Sequence, residues 1–328
     1  MIIKTFDNGW GPELELKQFE AKILKSYLRP ITACTQRWIV INSTWYTQDY
    51  HQEVLTQLRS LDFDGIVLVA FIDAAIPMVE WYSEFACPVL PVGYYQGEHQ
   101  IDFWALMAHH YMDLAPYGNL QDSAKIDTAY MCLNRKPHGH RRQLYQQLDA
   151  LGLVDQGIVS MGGDDEYPVQ KLLDIDQGST NIAPNANAEH HGMPNDIASL
   201  GHPANWQRHL VNVVTETTWD ISQNQFVSEK IFKPLLGQRP FLVYDPDGAS
   251  SWLSARGFEL YHCDFQDISD QDPALPNNVA RFLQQLCWQD TSYFQSKFIA
   301  LQEKIMYNHN NFHKYVAEQT KKISQGIL

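Results

Sequence analysis

Glu216, Ser228, Glu229 and Lys230 are residues whose types and spacing can do chemistry. They lie in LVNVVTETTWDISQNQFVSEKIFKPLLGQRPFLVY, residues 210–244. That segment opens and closes on short apolar runs, 210–214 and 240–244, with the length and β-branched content of buried strands. Glu216 stands just past the first run, where a carboxylate can accept both hydroxyls of a ribose. Ser228-Glu229-Lys230 heads a short amphipathic helix with Ile231, Phe232, Leu235 and Leu236 on its apolar side. Gly237 ends it, as glycine commonly does. Ser228 is placed to cap this helix. The helix dipole favours Glu in a first turn and disfavours Lys, so Lys230 needs an anionic partner, and a phosphate is one candidate. The same three residues also read as ordinary helix-start chemistry.

A second group precedes this one. Asn134, Arg135, Lys136, Arg141 and Arg142 fall where an apolar strand, 129–133, gives way to a loop and then a helix. Arginine's planar fork matches phosphate oxygens in bidentate fashion, and the helix start near His140 adds N–H groups and a favourable dipole. The group reads as one half of a diphosphate clamp, or as a solvated basic loop. Neither a GxGxxG fingerprint nor a P-loop supports it.

The elements that must position these groups follow from hydropathy. Strands are expected over 2–6, 38–41, 65–72, 88–92, 129–133, 158–161, 210–214, 240–244 and 258–262. Helices are expected over 14–28, 51–61, 78–85, 101–112, 140–151, 248–256, 279–288 and 291–324. Fully apolar strands alternating with helices indicate parallel sheets covered on both faces, in an α/β protein with the order of a doubly wound domain in its first half. The polar stretch 114–124 reads as a linker. The boundaries expected are an N-terminal α/β domain over 1–120, a second over 121–290 and a helical segment over 291–328. Residues 162–205, rich in Gly, Asp, Asn and Pro, read as a long functional loop.

The chain has 328 residues and a net charge of −14. That balance argues against broad binding to a phosphate backbone, which needs clustered Lys and Arg. Five cysteines, widely spaced and without a CxxC, read as reduced thiols. The opening MIIKTFDNGWGPEL has no signal-peptide apolar stretch, and no run approaches a membrane span, so a cytoplasmic protein is expected.

Two stretches resemble the α1,3-fucosyltransferase-type glycosyltransferases and their phage and bacterial relatives. One carries Glu216-Thr217, Phe226-Val227-Ser228-Glu229-Lys230 and Arg239-Pro240-Phe241; the other is CLNRKPHGHRRQLYQQLDALGLVDQGIVS. The resemblance implies a GT-B arrangement of two doubly wound, Rossmann-like domains facing across a cleft. It implies a nucleotide-sugar donor, with guanosine as its base, held by the C-terminal domain. The implied donor-binding residues are Asn134, Arg135, Arg141, Glu216, Thr217, Ser228, Glu229 and Lys230. Of these, Arg141 and Lys230 would contact the diphosphate, and Glu216 and Glu229 sugar or ribose hydroxyls. No metal or cofactor is implied beyond the nucleotide sugar as co-substrate. Pro234 departs from an undisturbed helix.

Such an enzyme transfers a sugar to a glycan or other hydroxyl acceptor, and inverting transfer needs a general base near that hydroxyl. Asp73 and Glu98 fit by topology, each following an expected strand of the first domain, and so does Asp49. Two other functions fit the same features: glycosylation of a hydroxylated base in DNA, disfavoured by the net charge, and non-catalytic binding of a nucleotide or glycan. Asp164-Asp165-Glu166 leaves a metal site open. The adjacent pairs His109-His110 and His190-His191 are poor two-ligand sets, because neighbouring helix positions face different ways. Tyr94-Tyr95 and Trp45-Tyr46 can stack on a sugar or base, or simply pack.

Overall fold

A computed structural model of the chain describes residues 2–7, 37–43, 48–70, 82–93, 101–112, 118–134, 136–163, 166–171, 200–216, 227–244, 248–269 and 276–327. The chain is α/β and divides into two compact units. Residues 1–110, 188–193 and 314–328 form the first, and 111–187 with 194–313 the second.

The first unit holds a five-stranded sheet: β1 (Ile2–Asp7), β2 (Trp38–Ser43), β3 (Gly65–Ala70), β4 (Val89–Gly93) and β5 (Ile101–Asp102). Every neighbouring pair is parallel. Four successive residues of β2, Trp38 to Ile41, are all buried. Successive strand side chains alternate faces, so this strand is covered on both sides, as the unbroken apolar run predicts. Helix α1 (Gln48–Leu58) buries Val54, Leu55 and Leu58 against Ile39, Ile41, Ile66 and Leu68. Helix α2 (Phe103–Tyr111) follows β5 directly. Asp102 caps its start by accepting from the Ala105 N–H at 3.1 Å. Tyr315 donates to the other Asp102 oxygen at 3.0 Å, and Gln319 accepts from the Asp102 N–H.

The second unit holds a four-stranded parallel sheet of β6 (Thr128–Asn134), β7 (Ile158–Met161), β8 (His209–Thr215) and β9 (Phe241–Tyr244), in the order β7-β6-β8-β9. The connecting helices are α3 (Gly139–Ala150), α4 (Pro203–Arg208), α5 (Glu229–Leu236) and α6 (Ala249–Ala255). Helix α7 (Pro276–Cys287) buries Val279, Phe282, Leu283 and Leu286, the i, i+3, i+4, i+7 stripe of a core-facing helix. Helix α8 (Thr291–Ile327) has 37 residues; those to 313 count with the second unit and the rest with the first. Among the described residues no helix is long and apolar enough to cross a membrane.

Several expectations change. The described strands of the first sheet run in chain order, without the reversal that defines a doubly wound sheet; the reversal occurs in the second sheet alone. Alternation of strands and helices settles that strands are parallel, but not on which side each new one is added. Residues 101–102 form a short strand ahead of the helix expected from 101. Residues 82–85, the described end of an expected helix, form a turn closed by Phe85 N–H on the Tyr82 carbonyl at 3.1 Å. The helix expected over 14–28 lies outside the described residues. So do residues 172–199 of the long loop, whose two ends hold a bridge of Lys171 to Met161 and helix α4.

The strand expected over 258–262 is absent. Its backbone is paired by a side chain instead: Asn308 of α8 accepts from the Glu259 N–H and donates to the Glu259 carbonyl, both at 2.8 Å. Phe258 and Tyr261 are still buried, Tyr261 edge-on to Phe241 and Phe258 against Trp252.

Gly237 ends α5 for a different reason from the one expected. Its φ is −74°, and the left-handed position passes to Gln238 at φ 53°. Glycine is required because Trp206, buried in α4, occupies the space a Cβ would fill. Gly237→Ala is therefore expected to cost about 1–3 kcal/mol through overpacking. A urea-unfolding midpoint equal to that of the wild type would refute this account.

Candidate functional site

The order β7-β6-β8-β9 places the chain reversal between β6 and β8. In open α/β sheets, ligands bind outside the carboxyl ends of the strands at such a switch point. Here those ends are Asn134 and Thr215. Thr215 Oγ1 donates to Asn134 Oδ1 at 2.5 Å, joining the two strands across the switch. Ser160 of β7 and the Gly162 N–H hold the Asn134 main chain at 3.2 and 2.8 Å, so three strand ends are locked together.

Glu216, one residue past β8, is where two helices meet. From α3, His140 Nε2 lies 2.8 Å from the Glu216 carbonyl and Arg141 donates to the same oxygen at 2.9 Å. A carbonyl only accepts, so His140 carries its proton on Nε2. The same Arg141 nitrogen donates to the Thr215 carbonyl at 3.0 Å, and its other terminal nitrogen to the Lys136 carbonyl at 3.3 Å. From the start of α5, Ser228 donates through Oγ to Glu216 Oε2 at 2.5 Å and through its N–H to both carboxylate oxygens at 3.2 Å. Ser228 also caps α5 as expected, accepting from the Lys230 N–H at 3.3 Å. Lys230 Nζ sits 2.6 Å from Glu229 Oε1 and 3.4 Å from Ser228 Oγ. Pro234 lies inside α5 and has no N–H for the Lys230 carbonyl.

The charges are strongly coupled. Glu216 is buried, and desolvation raises its pKa from the ordinary 4.5 to about 7 against the opposing pull of Lys230 and Ser228. Burial also acts to raise Glu229, but contact with Lys230 and the field of Lys233 outweigh it and hold that carboxyl below the ordinary value. His138, at the N-cap position of α3, is pushed down to about 4 by burial and then by the positive charges of Arg141, His140, Lys230 and Lys136. A concentration of positive potential therefore lies where the N-termini of α3 and α5 converge.

Asn134, Arg141, Glu216, Ser228, Glu229 and Lys230 thus lie in one cluster. Arg141 donates from one terminal nitrogen to the carbonyls of Thr215 and Glu216, so it braces the end of β8. The Glu216 carboxylate anchors the start of α5. Arg135, Thr217, Asp73 and Glu98 lie outside the described residues, as do Asp164, Asp165, His190, His191, Tyr94, Tyr95, Trp45 and Tyr46. Asp49 lies in α1, and His109 and His110 lie on the exposed end of α2. Thr215, His138 and His140 belong to the site without having been singled out. Their only signal is position, at the last residue of a strand and the first turn of the helix that follows another.

No protein-family model, curated protein or solved structure matches the chain.

Because the Glu216 pKa is raised in the folded state, the folded protein holds a proton between pH 4.5 and 7 that the unfolded chain has lost. This contribution to stability is present below pH 4.5 and disappears as pH rises through 7. Glu216→Gln cannot titrate. Relative to that variant, wild-type stability should fall by on the order of 3 kcal/mol across the window. Urea unfolding at four pH values checks it, and parallel pH profiles for the two proteins would refute it.

Proposed function

We propose that the second unit binds the diphosphate of a nucleotide-sugar donor at the carboxyl ends of β6 and β8, and that the chain is a glycosyltransferase. The observation that carries this reading is the convergence of two helix N-termini and Lys230 on Glu216, at the one strand reversal in the second sheet. Helix N-termini present N–H groups and a positive dipole to anions. Lys230 is the direct contact, and the dipole of α5 adds to its charge. Arg141 acts as a brace whose fixed charge stabilises the leaving diphosphate, so that no bound metal is required for this task. Burial raises the Glu216 carboxyl well above the ordinary range, which limits repulsion of a neighbouring phosphate. Glu229, held ionised, accepts from a sugar or ribose hydroxyl.

Two α/β units, each with a parallel sheet, are consistent with the parts of a GT-B enzyme. In this reading the first unit carries the glycan or other hydroxyl acceptor, and Asp73 or Glu98 is the general base. Asp73→Asn and Glu98→Gln are the variants to compare. One of them should lower turnover by orders of magnitude at unchanged donor affinity, and near-normal turnover in both would remove the pair.

Calorimetry with GDP, UDP and ADP tests donor binding directly. One of the three should bind, and Lys230→Ala should weaken it at least tenfold. Absence of binding by all three, or wild-type affinity in the variant, would sink the proposal. The bound diphosphate should also relieve the positive field on His138 and raise its pKa from about 4. Imidazole NMR shifts followed against pH, with and without nucleotide, would detect the change; a titration unmoved by saturating nucleotide would count against this location.

A further inference from the structure

His309 and His313 lie at i and i+4 in α8, the spacing that puts two side chains on one helix face. Their ring centroids are 4.8 Å apart with the planes at 81°, and their Nε2 atoms are 3.3 Å apart. His309 Nδ1 lies 3.1 Å from the carbonyl of Leu235 in the last turn of α5. That carbonyl can only accept, so His309 carries a proton on Nδ1, and the tautomer with Nε2 unprotonated turns an acceptor toward His313. His309 is half-buried and His313 is exposed.

We propose that His309 and His313 bind a divalent transition-metal ion of the class that favours imidazole, zinc above all. Two zinc–nitrogen bonds of about 2.0–2.1 Å at the tetrahedral angle hold their nitrogens roughly 3.3–3.4 Å apart. The two Nε2 atoms already have this separation. The Leu235 carbonyl supplies the outer hydrogen bond that sets the orientation and tautomer of a metal-binding imidazole. Phe312, packed on Phe232, lies beside the His313 ring at 5.7 Å and limits its range.

Binding requires the exposed His313 ring to turn until its Nε2 lone pair and that of His309 meet at one point. The ion replaces the proton lying between the two Nε2 atoms, which moves to His313 Nδ1 or, from an imidazolium, to water. Among the described residues no three His, Cys, Asp or Glu side chains cluster for a metal, so water completes the tetrahedron. The site is therefore open and weaker than a closed structural zinc site.

The chain has 13 histidines, so the test compares variants rather than recording uptake alone. Zinc calorimetry on the full chain at pH 7.5 is expected to show one tightest site. His313→Ala should weaken it at least tenfold, and His313→Cys should restore it. Copper(II) titration followed by electron paramagnetic resonance should show two-nitrogen coupling in the wild type and its loss in His313→Ala. Zinc should raise the melting temperature of the wild type and not of His313→Ala, whose exposed position leaves folding intact. Equal zinc affinity in wild type and His313→Ala, or unchanged copper coupling, would overturn the assignment. Either outcome is independent of nucleotide binding, because neither histidine belongs to the Glu216 cluster.

Discussion

The fixing of Glu216 from two sides is the constraint on which the carboxyl end of the second unit's sheet depends. Its carbonyl is held by His140 and Arg141 from α3, and its carboxylate by Ser228 at the head of α5. Both groups are buried, and a buried polar group left without a partner costs about 1–3 kcal/mol. Neither helix can shift alone without stranding one of them. A single residue beyond a strand end thereby sets the positions of two helix N-termini, and the side chains those helices carry inherit that placement.

The same arrangement explains why neighbouring groups titrate so differently. Glu216 is governed by desolvation and rises, whereas Glu229 touches Lys230 and falls. His138 stands among cations and is held neutral. The cluster contains one close ion pair, Glu229–Lys230. Its acids and bases are held in unequal states by burial and proximity, and the unbalanced part is positive and gathered at the helix starts. The proposed diphosphate would meet that excess.

Much of this was legible in local pattern. The apolar runs of β2, β3, β6, β8 and β9 announce buried parallel strands, because a strand covered on both faces needs no polar alternation. Ser228 as a cap was equally legible, since the capping bond spans only two residues. Other features were not. The run at 258–262 has strand composition, yet Asn308, some 49 residues on, pairs its backbone. Gly237 looks like a left-handed cap, yet it makes room for Trp206 while Gln238 takes the strained φ. In both cases a distant side chain overrides the local preference.

By itself the sequence determined where apolar strands run, that parallel sheets would hold them, and that an acid, a hydroxyl and a lysine would stand at a strand end and a helix start. Only the tertiary structure decided that β6 and β8 are neighbours, and that Arg141 and His140 close on a carbonyl some 75 residues away. It alone showed Arg141 donating to the main-chain carbonyls at the end of β8. The physical reason is one of range. Periodicity and capping arise between residues a few positions apart, and so leave a spacing to read. Strand order and the partners of a buried guanidinium arise from which surfaces can be covered together, and no spacing along the chain records that choice.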